Sequence, residues 1–467
     1  MSQIGSESQP LRVAIVGAGP AGFYVAEHLL KQKDLVIEID MFDRLPTPFG
    51  LVRNGVAPDH QKIKSVTKAF DRIASKPGYR FFGNVELGTD IAVADLRSHF
   101  HQIVYSTGAQ TDRYLNIPGI DLKSSHAATQ FVAWYNGHPD YRDFEFDLSQ
   151  ETVAVIGIGN VAVDVARILC RSQEELFETD IADHALKALS ESRIKDVYML
   201  GRRGPAQGAF TPPELKELGE MQDADVVVLR SEAELDNLSL AAMADADRGT
   251  ERKVGLIQQF SEREQTGKTR RLHLRFLVSP VELIGDEDDC VKSMKLVRNE
   301  LYATDAGTLR PKSVDKFEEL PVGLVFRSIG YRGVPLADVP YNENWGVIYN
   351  EAGRVIKPGT GEPVLGEYTA GWIKRGPSGV IGTNKPDAKE TAENMVKDLA
   401  SGTILSPSQP NGASFETFIN DRQPDYFSFA DWQRLDELER EQGAAIGRPR
   451  IKFTRVDEMI AAKNRQL

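Results

Sequence analysis

Gly17, Gly19 and Gly22 follow the apolar run Arg12–Val16 at the spacing G-x-G-x-x-G. Each glycine has a separate task. Gly17 permits a tight turn, Gly19 lets a pyrophosphate reach the backbone, and Gly22 lets the following helix pack closely on the strand. The helix start then offers N–H groups and the positive end of its dipole to phosphate. Asp43 lies at the end of the next strand-like run, Val36–Phe42. A carboxylate there accepts hydrogen bonds from both ribose hydroxyls and repels a 2′-phosphate, so this site reads as one for FAD or NAD rather than NADP.

The pattern recurs. Thr152–Ile156 is followed by Gly157, Ile158, Gly159, Asn160, Val161 and Ala162, with alanine in the third fingerprint position. Here the strand that should carry the ribose-reading residue, Asp196–Leu200, runs into Gly201-Arg202-Arg203 with no acid. Two guanidiniums suit a 2′-phosphate by charge and by bidentate geometry, so this second site reads as one for NADP(H). Its arginines come later than the usual spacing of about 20 residues, and an inserted helical stretch, Ser172–Arg193, accounts for the excess. Two sites of opposite preference imply electron transfer between their occupants. A nicotinamide delivers a hydride, two electrons at once; a flavin accepts two and can release them singly.

The elements that must hold these turns are strand, glycine turn, helix and strand, used twice, which is the logic of a parallel α/β sheet. Strand-like runs at Gln102–Ser106 and Leu324–Ser328 each lead to a glycine, Gly108 and Gly330. The expected architecture is therefore α/β with two Rossmann-like dinucleotide-binding domains, the NADP domain inserted into the FAD domain. Residues 1–107 would form the first part of the FAD domain, 108–330 the NADP domain, and 331–467 the second part with a C-terminal tail. Asp236–Asp247 and Ser406–Ser414 read as surface segments. The tail, with a helical pattern over Ala430–Gln442, is expected to pack on the first domain.

Composition narrows the function classes. With 467 residues the chain needs more than one core. A net charge of −12 argues against a general nucleic-acid binder. No apolar run is long enough to span a membrane, and Met1–Pro10 lacks the pattern of a signal or transit peptide; a cytoplasmic, monomeric protein is expected. The two cysteines, Cys170 and Cys290, form no CxxC, so neither a vicinal redox dithiol nor a cysteine-held cluster is expected. No metal site is expected either.

Five longer segments carry a specific resemblance: Val16–Gly22, Pro48–His60, Gly157–Arg167, Gly201–Pro205 and Gly371–Gly382. In this order the chain resembles, over nearly its whole length, the adrenodoxin-reductase-type ferredoxin–NADP(+) reductases, in a short bacterial, leaderless form. The resemblance implies that Ala21, Asp43, Leu51 and Leu87 contact the AMP half or ribityl chain of FAD. Trp372, Gly379, Val380 and Ile381 would lie against the flavin, and Gly379 also near the nicotinamide. Ile158, Gly159, Asn160 and Val161 would line the NADP pyrophosphate turn, with Arg202 and Arg203 on the 2′-phosphate, Glu214 nearby and Arg113 as a further contact. The chain departs from the family pattern at Ile158, where many relatives carry a polar residue, and at Pro212-Pro213.

Hydride transfer needs no protein nucleophile, only close placement of the reacting carbon and nitrogen with water excluded. The titratable residue of interest is His60, at the end of the Pro48–His60 segment, expected to pair with Glu217 or Glu214. The expected acceptor is a small acidic ferredoxin, which needs a local basic patch. Arg252-Lys253, Arg263, Arg270-Arg271 and, foremost, Lys374-Arg375 are candidates, the last because it flanks the flavin segment. Two alternatives stay open on sequence: an NADPH-dependent flavin monooxygenase, and an FAD- and NADPH-binding redox sensor without turnover.

Overall fold

The computed structural model describes residues 4–465, so Met1–Gln3 and the last two residues of the tail lie outside the described residues. The chain divides into two compact units. The first comprises residues 1–56, 60–111 and 331–467; the second comprises 57–59 and 112–330.

The first unit is built on a seven-stranded sheet. Its centre is strand β1 (Leu11–Val16), paired in parallel with β2 (Ile37–Asp43) on one side and with Gln102–Tyr105 on the other. Every residue of β1 is buried, which is why it reads as an unbroken apolar run with one arginine. Pro363–Thr369 then adds in parallel to Gln102–Tyr105, joining the two ends of the chain in one sheet. Helix α1 (Pro20–Leu29) begins at the glycine turn with proline at its first position, where no N–H is missed. It packs with the later helix Asn384–Ala400 through Phe23, Ala388, Ala392 and Met395. The tail belongs to this unit: Phe427, Trp432, Leu435 and Met459 share the cluster that contains Phe23 and Phe49.

The second unit carries a six-stranded, wholly parallel sheet in the order 125–127, 324–327, 152–156, 196–201, 270–276, 224–228. Strand β3 (Thr152–Ile156) leads through the second glycine turn into helix α2 (Asn160–Cys170), and strand β4 (Asp196–Gly201) delivers Arg202-Arg203. The expected insertion between α2 and β4 contains two short helices, Gln173–Phe177 and Asp183–Ser190. Asp236–Asp247 is more ordered than a plain surface loop, because Asp236 caps a short helix, Asn237–Ala242, by accepting from the Leu238 and Ser239 N–H groups. A three-stranded antiparallel meander, Val278–Gly285, Val291–Ala303 and Leu309–Pro321, was not foreseen. Its strands carry many exposed charged residues, which blurs the apolar signal on which strand recognition depends. Among the described residues, no helix is long and apolar enough to cross a membrane.

His126, on the short strand Ser125–Ala127, meets Phe146 edge-on with ring centroids 4.9 Å apart. Burial, reinforced by the nearby Arg327 charge, lowers its pKa to about 4. Below the pKa of about 6.5 of an unfolded histidine, the unfolded chain takes a proton that the folded one refuses. Stability is therefore lost as pH falls from about 6.5 toward 4. Urea unfolding of the second unit should show His126→Phe losing about 2 kcal/mol less than wild type between about pH 7 and 5; equal losses would remove His126 as the cause.

Candidate functional site

The glycines of the first turn meet the three demands separately. Gly17 has φ +105°, and a Cβ there would fall 2.6 Å from the Ser106 carbonyl oxygen. Gly22 would put a Cβ 2.4 Å from the Gly17 carbonyl oxygen, whereas a Cβ on Gly19 would meet nothing within 4 Å. The turn is thus closed on its protein side and open at the middle glycine. Gly19 caps α1 without a side-chain hydrogen bond, and the first turn carries no acidic residue. Ala21 is buried, and Gly371 approaches it so closely that a Cβ on Gly371 would lie 2.6 Å from the Ala21 methyl.

Asp43 sits at the end of β2, and each carboxylate oxygen accepts one backbone N–H: Ala18 at 2.9 Å and Leu45 at 3.0 Å. Burial raises its pKa, and these two hydrogen bonds with the Arg44 charge pull the other way. The residue therefore also braces the glycine turn, a task not foreseen from sequence.

Leu51 opens a short helix, Leu51–Asn54, and is half-buried; Leu87 is half-buried against the cluster containing Phe82 and Val85. Trp372 starts the short helix Trp372–Arg375, donates its indole N–H to the Ser378 carbonyl at 3.2 Å, and packs on Tyr331. Gly379, with φ +79°, and Val380 are exposed. Ile381 begins a 3-10 turn that leads into Asn384–Ala400.

The second turn repeats the geometry. Gly157 has φ +134° and a Cβ there would fall 2.1 Å from the Ser328 carbonyl oxygen; Gly159 again faces open space, and Ala162 is fully buried. Ile158 fills the wall of the turn. Its side chain lies against Gly201, and its carbonyl accepts the N–H groups of Ala209 and Phe210. Asn160 uses its side-chain oxygen to accept the Thr211 N–H at 3.0 Å, tying the start of α2 to the loop before Glu214. Val161 is half-buried against the core. Pro212-Pro213 stands at the start of a helix. Pro212 opens helix Pro212–Leu218, where a missing N–H costs nothing, and Thr211 donates its hydroxyl to Glu214.

Arg202 is exposed and Arg203 half-buried; neither makes an ion pair among the described residues. The pKa of Arg203 is lowered by burial, then by Arg202 and Arg310. Three like charges clustered without a carboxylate are held against their own repulsion and favour an anion. Arg310 was missed because it lies on the unforeseen meander, opposite Tyr302, in no recognisable motif. Asn299 of the same sheet anchors the arginine turn by donating to the Arg202 carbonyl at 3.0 Å. Arg113 is exposed, and its backbone N–H donates to Gly330 at 2.9 Å.

His60 precedes the short helix Gln61–Lys64 in the first unit, its carbonyl accepting from Ile63 and Lys64. Glu217 belongs to the second unit and lies 3.7 Å from Arg167, whose buried guanidinium also binds Asp59 at 2.6 Å and Asp164 at 2.7 Å. The foremost docking candidate is corrected. Lys374 is buried, bound to Asp387 at 3.1 Å and Glu390 at 2.7 Å, and Arg375 donates to Ser378 and Asn384. These two charges close the segment onto the following helix and do not form a basic patch. Lys253 is likewise buried, on the Gly208 carbonyl, and Arg271 is held bidentate by Asp196. Arg252 and Arg263 remain exposed.

The model of the family described as pyridine nucleotide-disulphide oxidoreductase matches residues 11–200. Disulfide chemistry finds no support within that match. Cys170 is its single cysteine, fully buried in α2, and burial pushes its thiol up to about 12. Native protein should therefore lose one thiol, Cys290, to an alkylating reagent at neutral pH, and Cys170 only on unfolding; rapid labelling of both would contradict the buried, protonated thiol. Over 97% of its length the chain is 43% identical to NADPH-ferredoxin reductase FprA of Mycobacterium tuberculosis, covering 99% of that protein. It is 36% identical to the mitochondrial NADPH:adrenodoxin oxidoreductase of Arabidopsis thaliana, covering 98% of this chain and 96% of that one. The solved structure of Mycobacterium tuberculosis FprA in complex with NADPH superimposes with a TM-score of 0.92 at 42% identity, over 97% of this chain and all of that one. The chain belongs to the adrenodoxin-reductase-type family of NADPH–ferredoxin reductases.

Proposed function

We propose that this protein is an FAD-dependent oxidoreductase that passes electrons from NADPH to a ferredoxin. The carrying observation is the contrast between two equivalent turns, one bounded by the carboxylate of Asp43 and the other by the unpaired guanidiniums of Arg202 and Arg203. Bound FAD would supply the conversion of the two electrons of one hydride into single electrons that an iron–sulfur protein can accept.

The first unit is then the FAD-binding domain and the second the NADP-binding domain. On the FAD side, Gly17, Gly19 and Gly22 shape the pyrophosphate cradle, and Ala21, Asp43, Leu51 and Leu87 line the AMP half or the ribityl chain. Trp372 and Gly379–Ile381 border the ring. On the NADP side, Gly159, Asn160 and Val161 present the start of α2 to pyrophosphate. Arg202 and Arg203 hold the 2′-phosphate, Arg310 adds to the same positive field, and Glu214 and Arg113 border the nucleotide. His60 and Glu217 are the titratable groups assigned to the transfer step; single-turnover flavin reduction unchanged in His60→Gln would remove His60 from it. The partner is a small acidic ferredoxin met by a monomer in the cytoplasm. Arg252 and Arg263 are the exposed arginines available for docking, and ferredoxin reduction should slow with rising salt because exposed charges are screened over about 10 Å at 0.1 M.

The decisive experiment is anaerobic stopped-flow mixing with NADPH or NADH, then with ferredoxin. NADPH should bleach the flavin faster than NADH, and ferredoxin should restore the colour. Charge-assisted guanidinium–phosphate bonds are worth about 1.5–3 kcal/mol. Arg203→Ala should therefore weaken NADPH binding roughly 10- to 100-fold and leave NADH nearly unaffected. Equal loss for both would overturn the 2′-phosphate assignment. Bleaching without transfer to any iron–sulfur acceptor would favour an oxygen-using or sensing role.

A further inference from the structure

Phe49 and Gly50 lie directly over the first glycine turn. The Phe49 N–H donates to the Ala18 carbonyl at 2.7 Å, and a Cβ on Gly50 would stand 3.0 Å from the Cα of Gly19. Phe49 has φ +84°, an unfavourable conformation for a bulky residue that persists only when its surroundings impose it. Those surroundings are the rings of Phe23 at 5.5 Å and Phe70 at 5.9 Å and, from the C-terminal tail, Trp432. The ring of Trp432 meets that of Phe49 edge-on at 5.7 Å, and the guanidinium of Arg53, one helical turn after Phe49, stacks over the same indole at 5.0 Å. Arg53 is gripped bidentate by Glu439 at 2.5 and 2.9 Å.

Glu439 is fully buried, and its carboxylate also accepts from Arg450 at 3.0 Å and from the Phe453 N–H at 2.9 Å. Its backbone carbonyl accepts the Ile451 N–H at 2.8 Å. The chain can return past helix Phe429–Ala444 to make these bonds because Gly443 leaves room; a Cβ there would lie 2.4 Å from the Cα of Arg450. Four donors thus converge on one carboxylate contributed by a segment to which the sequence assigned no chemistry. Such satisfaction is what a buried charge requires, and removing one member leaves the others uncompensated.

We infer that Glu439 is a positioning residue for FAD retention: through Arg53 and Trp432 it holds the Phe49–Asn54 segment closed over the pyrophosphate turn. The inference rests on the assignment of FAD to the first unit. The tail then acts as a clasp on the cofactor without touching it, and loosening the clasp speeds cofactor loss before it unfolds the domain.

The test measures FAD release from the loaded holoenzyme by the rise of flavin fluorescence, alongside apoprotein melting and the affinity for 2′,5′-ADP, which reads the second unit. Glu439→Gln should release FAD about tenfold faster, equivalent to 1.4 kcal/mol, with 2′,5′-ADP affinity unchanged. Ile419→Ala, in a different cluster of the same unit, is the control for general destabilisation. At an equal drop in melting temperature it should hold FAD as wild type does. Release from Glu439→Gln at the wild-type rate, or equal release from both variants, would overturn the inference. If Glu439→Gln does not fold, Trp432→Phe is measured instead, with about threefold faster release expected because a smaller ring contacts Phe49 and Arg53 less well; a wild-type rate there overturns the inference equally. Failure of the wild-type protein to bind FAD would overturn the proposed function, whereas tight binding in every variant would overturn only the clasp.

Discussion

A dinucleotide phosphate is recognised by backbone, and backbone is available only where side chains are absent. That constraint organises both units. At Gly17 and Gly157 the carbonyls of Ser106 and Ser328 crowd the position a Cβ would take, while at Gly19 and Gly159 the same position opens outward. A turn must be tight beneath and bare above for helix N–H groups to face an anion at contact distance. The rest of each sheet follows from that demand. Largely buried parallel strands fix the height of the turn, and the neighbouring strand leads to a charged group, Asp43 in one unit and Arg202-Arg203 in the other.

Once the turn is bare, specificity falls to side chains arriving from elsewhere, and the two units solve this with opposite electrostatics. Asp43 is held by two backbone N–H groups and so has a defined orientation before any ligand arrives. The carbonyls of Arg202 and Arg203 are held by Asn299 and Leu277, while neither guanidinium makes an ion pair among the described residues. The acid is oriented in advance by backbone hydrogen bonds, whereas the bases are fixed through their main chain.

The turns, their flanking strands and the charged residues at the ends of the neighbouring strands were legible in the sequence because each depends on residues close together in the chain. The fingerprint places its helix within a residue or two, and Asp43 and Arg202-Arg203 fall at strand ends. What escaped notice depends on long-range pairing. Arg310 acquires meaning only through a meander whose exposed strands lack clean alternation. Glu439 is one acid among several in an amphipathic helix until Arg53, far away in sequence, is brought beside it. Lys374-Arg375 misled for the converse reason. Two adjacent basic residues look like surface, yet the following helix carries Asp387 and Glu390 to meet Lys374. A charged side chain is identified as docking or structural by its partner, and partners distant in sequence are invisible to local pattern.

The split of the first unit also has a consequence in time. Strand Gln102–Tyr105 waits for its parallel neighbour Pro363–Thr369, which leaves the ribosome some 260 residues later. At about 5–20 residues per second that is an interval of roughly 13–50 s. The second unit can complete its sheet within that interval, since all its strands lie between residues 125 and 327. During synthesis the first half of the cofactor cradle therefore stands with an open sheet edge, a hydrophobic and hydrogen-bonding surface exposed to other chains. The insertion that makes one polypeptide serve two nucleotides thus also separates in time the strands that complete the first sheet.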